Sequence, residues 1–179
     1  MSGASLVTLE DLAAAAERVR GTAVRTPVIA RPWPAATAAH PFRIKCENLQ
    51  RMGAFKVRGA FNMLAQLPAD ARARGVITYS SGNHGQGVAM AAQAMGVPAV
   101  IVMPTTAPSV KVEGVRSYGA EVIFAGTTSI DRQTRAEAEA AARGLTIIPP
   151  FDHPMIIAGQ GTVGLELLEQ VPDLGTVFV

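Results

Sequence analysis

The sequence predicts an α/β fold in which a parallel sheet carries helices on both faces, and three observations predict it. From Gly75 onward, short β-rich runs alternate with helix-length segments: Val76-Ile77-Thr78-Tyr79, Ala99–Met103, Glu121–Phe124 and Thr146–Ile148 are separated by Gly85–Met95, Ser109–Tyr118 and Ile130–Arg143. Runs such as Val100-Ile101-Val102-Met103 are continuously apolar, as strands covered on both faces are. Finally, 49% of the 179 residues are hydrophobic and 17% charged, enough apolar material for a core and too little charge for a disordered chain.

The elements follow in order. Thr8 stands ahead of Glu10 and Asp11, a capping hydroxyl before acidic first-turn residues, so Leu12–Val19 reads as an alanine-rich helix. Pro27, Pro32 and Pro34 impose extended, turn-rich chain through Ala30–Pro41. Phe42–Cys46 reads as a short strand, and a helix runs from about Lys56 to Gln66 with Phe61, Met63, Leu64 and Leu67 available for burial. The strand–helix alternation of residues 75–149 forms the clearest unit. Pro154–Val171 reads as another helix, and Thr176-Val177-Phe178-Val179 as a further strand. A β-branched run with no turn or helix after it predicts a buried strand cut off before its partners, because residues 1–74 and 150–179 hold too few elements for a second core.

Several function classes find no support. The formal charge is +2, the arginines are scattered along the chain as on a solvated surface, and no basic cluster interleaves with aromatics, so a nucleic-acid partner is not expected. Cys46 is the lone cysteine, which excludes an intrachain disulfide and a thiolate metal cluster. His40, His84 and His153 lack metal-ligand spacing, so no metal site is expected. No secretory signal or membrane-length apolar run is present, which favours a cytoplasmic protein with no membrane partner.

Two segments carry chemistry. Ser80-Ser81-Gly82-Asn83-His84-Gly85-Gln86-Gly87 joins a strand to a helix, where a parallel sheet presents free amides to a ligand. Its glycines allow close backbone approach and Ser80, Ser81 and Asn83 add polar side chains, which suits a carboxylate or phosphate; a mere helix cap would need only one such residue. Lys56 is the second. Only Lys45, Lys56 and Lys111 occur beside 13 arginines, and lysine alone of the two can lose its proton and form a Schiff base. The plain alternative is a lysine whose stem packs on Phe55 while its ammonium reaches solvent. Gly159-Gln160-Gly161-Thr162-Val163-Gly164 matches the dinucleotide fingerprint in letters, but no clear strand precedes it, so helix packing explains it better. Ser81 and His84 are a candidate nucleophile–base pair only if the loop turns them toward each other.

With both segments in view, the chain resembles the fold-type II pyridoxal-phosphate enzymes (tryptophan synthase β-like), in particular the threonine dehydratase and serine racemase group. The resemblance rests on Lys45–Ala60, Ser80–Gln86, Val100–Pro104 and Ala158–Thr162, in that order. It implies pyridoxal 5'-phosphate as cofactor, held covalently by Lys56, which later takes the substrate Cα proton, with Phe55 flanking the cofactor and Asn83 bonding its ring hydroxyl. It further implies that Ser80, Ser81, Gly82, Asn83 and His84 receive the substrate, and that Ser81 lies on the face opposite Lys56, as the second acid/base does in racemising relatives. Residues 1–74 and 150–179 would belong to a large cofactor domain, and 75–149 to a small substrate-loop domain. The implied reaction turns threonine or serine into a 2-oxo acid and ammonia; serine racemisation and 3-hydroxyaspartate dehydration are the alternatives. A non-catalytic anion- or nucleotide-binding module is the reading from another class. Ala54, where many relatives have serine, marks a subgroup. The resemblance also implies a C-terminally incomplete fold, with the phosphate-binding glycine loop and ring-nitrogen partner beyond Val179, poor cofactor binding by the chain taken alone, and a homo-oligomer at full length.

Overall fold

A computed structural model describes residues 6–31 and 42–179. The proline-directed segment expected through Ala30–Pro41 lies largely outside the described residues, as does His40. Helix α1 (Leu9–Val19) starts where its cap predicts: the Thr8 hydroxyl accepts from the Asp11 amide at 3.2 Å, and the Asp11 carboxylate accepts from the Thr8 amide at 2.9 Å. Strand β1 (Val28–Ala30) pairs antiparallel with β2 (Arg43–Lys45), and 3-10 turns at Glu47–Leu49 and Arg51–Gly53 lead to α2 (Lys56–Ala65) and α3 (Ala69–Arg74).

The central sheet contains β3 (Val76–Tyr79), β4 (Ala99–Met103), β5 (Glu121–Phe124) and β6 (Thr146–Ile147), all parallel, in the order β5-β4-β3-β6. Between them run α4 (Asn83–Met95), α5 (Ser109–Ser117) and α6 (Ser129–Arg143). The strand alternation sorts the core onto two faces. Ile101 and Met103 pack with Val88, Ala89 and Ala92 of α4 and Val112 and Val115 of α5; Ile77, Val100 and Val102 pack with Ala136 and Ala140 of α6. The expected parallel sheet with helices on both faces is therefore the observed one.

Topology then places a crevice. The chain steps β3, β4, β5 in one direction, and α6 returns across the opposite face to set β6 beside β3. The carboxyl ends of β3 and β6 thus lie side by side while their connecting helices cover different faces, the arrangement in which open α/β sheets hold ligands.

Helix α2 borders this crevice, between α4 and α7 (Pro154–Gln170). Its neighbours approach through glycine. A Cβ on Gly87 would come within 3.1 Å of the Lys56 carbonyl carbon, and a Cβ on Gly159 within 2.6 Å of the Gly59 Cα. Met63 and Leu64 of α2 and Ile156 of α7 share one cluster with Val88 and Ile101. Gly159–Gly164 lies inside α7 and not in a strand–helix turn, so its first glycines serve packing and the dinucleotide reading fails. The strand expected at Thr176–Val179 is absent: these residues are exposed and pair with no strand among the described residues, and β composition without a neighbouring ladder makes no strand. The arginines are also not uniformly solvated, because Arg58 and Arg132 are buried.

Candidate active site at the strand ends

The approach to Lys56 is set by the turn before it. Met52 and Gly53 both adopt left-handed backbone (φ 55° and 77°), Ala54 is extended, and Phe55 begins the helical path, leaving Lys56 as the first residue of α2. The Lys56 ammonium donates to the Pro150 carbonyl at 3.0 Å and lies 5.3 Å from the centroid of the Phe55 ring, which is 39% exposed. Burial without a carboxylate partner holds the amine below the usual lysine range. The surface-lysine reading does not describe it: the ammonium itself lies over the Phe55 ring and donates to the chain leaving β6.

Facing it is the loop after β3. The Ser80 hydroxyl accepts from the Gly82 amide at 3.1 Å, and the Ser80 amide is bonded to Val102, so Ser80 shapes the loop from within. Ser81 and Asn83 are exposed. A Cβ built on Gly82 would meet nothing within 4 Å, so the loop opens onto free space there. Asn83, His84 and Gly85 open α4, and their amides precede the first bond of this turn, Gln86 to the Gly82 carbonyl at 3.2 Å. The Asn83 Oδ1 accepts from Lys111 Nζ at 2.9 Å, which leaves the amide nitrogen as the end free to donate elsewhere.

His84 turns inward. It is 3% exposed, and its Nε2 lies 3.2 Å from the Ile148 carbonyl, which makes that nitrogen the donor and Nδ1 a buried acceptor without a partner. Burial, reinforced by the Lys56 charge and only partly offset by the bond to Ile148, holds its pKa down at about 4. Ser81 and His84 therefore do not form a nucleophile–base pair: one is exposed, the other is committed to Ile148. His153 is engaged elsewhere, its Nδ1 accepting from the Met155 amide at the start of α7.

Sequence reasoning missed the buried ion cluster two residues past Lys56. The Arg58 side chain is fully buried and bonded through its whole guanidinium: to Glu47 at 2.9 Å twice, to Glu166 at 2.7 and 3.1 Å, to the Thr162 hydroxyl and to the Val24 carbonyl. Lys45 closes the cluster, donating to Glu166 at 2.5 Å, to the Thr26 carbonyl and to Gln170. Two cations meet two carboxylates. Burial opposes both charges, yet the hydrogen bonds win, so Arg58 is held above the usual arginine range and Glu166 below the usual carboxylate range.

A partly buried amine over an aromatic ring and the open amides of α4 lie at the carboxyl ends of β6 and β3, with the orphaned Nδ1 of His84 buried close by. Such a donor set fits a flat, carbonyl-bearing, anionic group such as pyridoxal phosphate: the amine can attack the carbonyl, and the amides can hold an anion.

Comparison with known proteins points the same way. Residues 19–179 match the family described as pyridoxal-phosphate dependent enzyme. The chain is 49% identical over 175 residues to an L-threo-3-hydroxyaspartate ammonia-lyase of Pseudomonas sp, covering 97% of this chain and 54% of that protein. It is 45% identical over 174 residues to a serine racemase of Schizosaccharomyces pombe, with the same coverage, 97% and 54%. The structure of the processed form of threonine deaminase isoform 2 from Solanum lycopersicum superposes with a TM-score of 0.82 at 40% identity, covering 93% of this chain and 45% of that one. The chain spans about half the length of the curated relatives it matches.

Proposed function

The chain belongs to the pyridoxal-phosphate dependent enzymes, and from that premise we propose that it supplies the lysine and the substrate loop of an ammonia-lyase acting on a β-hydroxy amino acid, threonine or serine in the first instance. The observation that carries this reading is the Lys56 amine, kept below its ordinary pKa by burial and set on the Pro150 carbonyl past the end of β6, near enough to His84 of α4 for its charge to act there.

Lys56 holds the cofactor, and Phe55 and Asn83 flank it; pyridoxal phosphate supplies the electron sink that lets a proton leave the substrate Cα, which no side chain can do. A lysine with a lowered pKa spends more time uncharged, which suits it both to attack a carbonyl and to take the Cα proton. The amides at the start of α4 and the open backbone at Gly82 receive the substrate carboxylate. Lys111 turns the Asn83 amide so that its nitrogen faces away from Lys111. Neutral His84 adds no charge beside the amine and anchors the chain leaving β6 whose Pro150 carbonyl receives Lys56. Overall, water leaves across the Cα–Cβ bond and one water returns as the amine departs, giving a 2-oxo acid and ammonia. A 3-hydroxyaspartate substrate follows the same course.

The second reading, racemisation, is favoured by one residue: Ser81 offers an exposed hydroxyl that can return a proton to the other face. We expect the protein at full length, mixed with pyridoxal phosphate, to develop the visible absorbance band of a lysine-bound cofactor, and Lys56→Ala to lack it. No band, or one that survives Lys56→Ala, overturns the assignment. Incubation with threonine, serine and L-threo-3-hydroxyaspartate, with 2-oxo acid and D-amino acid both measured, separates the two reactions; D-serine in excess of 2-oxo acid selects racemisation.

A further inference from the structure

We propose that Arg58 is the positioning residue for Lys56: by bridging Glu47 and Glu166 it fixes the first turn of α2, and with it the backbone from which Lys56 reaches the crevice. The inference rests on the reading of Lys56 as the cofactor lysine.

Helix α2 begins against the usual rules. Phe55 supplies no side-chain cap, no acidic residue occupies the first turn, and two cations, Lys56 and Arg58, stand where the helix dipole disfavours positive charge. The start of α2 therefore needs another anchor. Arg58, two residues past Lys56, provides it. Its guanidinium is 0% exposed and clamps Glu47 on one side, in the 3-10 turn that leads into the Lys56 approach, and Glu166 of α7 on the other. Thr162 and the Val24 carbonyl take the remaining bonds. One planar fork thus ties together the segment before Lys56, the helix that carries it and the helix packed behind it. The two cations are treated oppositely: Arg58 is neutralised by carboxylates, whereas Lys56, among the described residues, meets the Pro150 carbonyl and the Phe55 ring and no carboxylate. The charge that holds is satisfied by the protein, and the charge that acts is left for a ligand.

The test uses Arg58→Lys, which keeps the charge and loses the fork, and Glu47→Gln, which keeps Arg58 and removes one carboxylate. In protein without cofactor, Lys56 acetylation by acetic anhydride is followed peptide by peptide against pH, with Lys111 in the same digest as reference. We expect the Lys56 half-point in both variants to move up toward that of an ordinary lysine, and the pyridoxal phosphate band to form about tenfold more slowly or worse. Val115→Ala, a core truncation away from the cluster, is the control for general loosening and should leave the Lys56 profile in place. An unchanged Lys56 profile and band rate in folded Arg58→Lys and Glu47→Gln overturns the proposal, as does an equal shift in Val115→Ala. Failure of both cluster variants to fold also overturns it, by making the cluster a stability element alone. If the unaltered full-length protein forms no band, the cofactor reading fails while the labelling profiles still report on Arg58.

Discussion

Two polar regions lie within a few residues of each other along α2, and they are built on opposite plans. Around Arg58 every charge is matched: two carboxylates, a hydroxyl and a carbonyl absorb the guanidinium, and Lys45 completes Glu166. Around Lys56 partners are withheld: the amine has one carbonyl, His84 keeps an orphaned acceptor, and Ser81 and Asn83 face outward. A polar group fully satisfied by protein holds shape, and one left short is a place where a ligand completes the set. The fold therefore separates holding from acting over a distance of two residues.

The largest expected effect tests that separation directly. Arg58→Met leaves two partly buried carboxylates facing each other and should cost about 3–5 kcal/mol in denaturant unfolding, whereas Lys56→Ala, which removes an under-partnered amine, should stay within about 0.5 kcal/mol of the parent. Equal losses from the two substitutions would erase the contrast.

Next in size is a pH effect located in the open region. The unfolded chain protonates His84 near 6.5, while the folded chain refuses the proton until about 4. Between these values the unfolded state binds more protons, so stability is full above pH 6.5 and falls as pH drops toward 4, by about 3 kcal/mol over the window. Unfolding measured from pH 7 to 4 should show this slope, and His84→Gln should flatten it. A slope of the same size in His84→Gln would place the titration elsewhere.

The smallest effects lie in α7, where two glycines of one short motif should respond with opposite sign. A Cβ on Gly159 meets the Arg58 carbonyl oxygen and the Gly59 Cα, both backbone atoms that cannot move aside, so Gly159→Ala should cost about 1–3 kcal/mol. A Cβ on Gly164 meets nothing within 4 Å, and Gly164→Ala should add about 0.5–1 kcal/mol through helix propensity. Thermal unfolding of the two variants decides it, and a loss at Gly164 would mean that position serves the site.

Much of the sheet was legible because its signals are local. The runs at 76–79, 99–103 and 121–124 carry their own strand chemistry, and Thr8 is the cap of α1, which starts at Leu9 and not at the expected Leu12. What failed depends on partners far along the chain. Strand β1 has three residues and exists because Arg43–Lys45 comes back to it, and Thr176–Val179 has strand composition but no ladder. Lys56 and the Ser80–Gly87 loop stood out by residue type. Arg58 did not, because its partners lie 11 and 108 residues away and no spacing rule connects them. Its one sequence signal was a charge placed at the start of a helix that lacks acidic residues there.

The glycine contact between α2 and α7 also has a mechanical consequence. Most helix pairs meet through side chains whose rotamers yield, so a small displacement of one helix is absorbed before it reaches the other. At Gly59 and Gly159 the main chains touch with no such cushion, and Gly87 presses the opposite side of α2 in the same way. Lys56 thus grows from a stiff bearing: a force that bends α7 or tilts α4 is passed straight to the backbone that carries it.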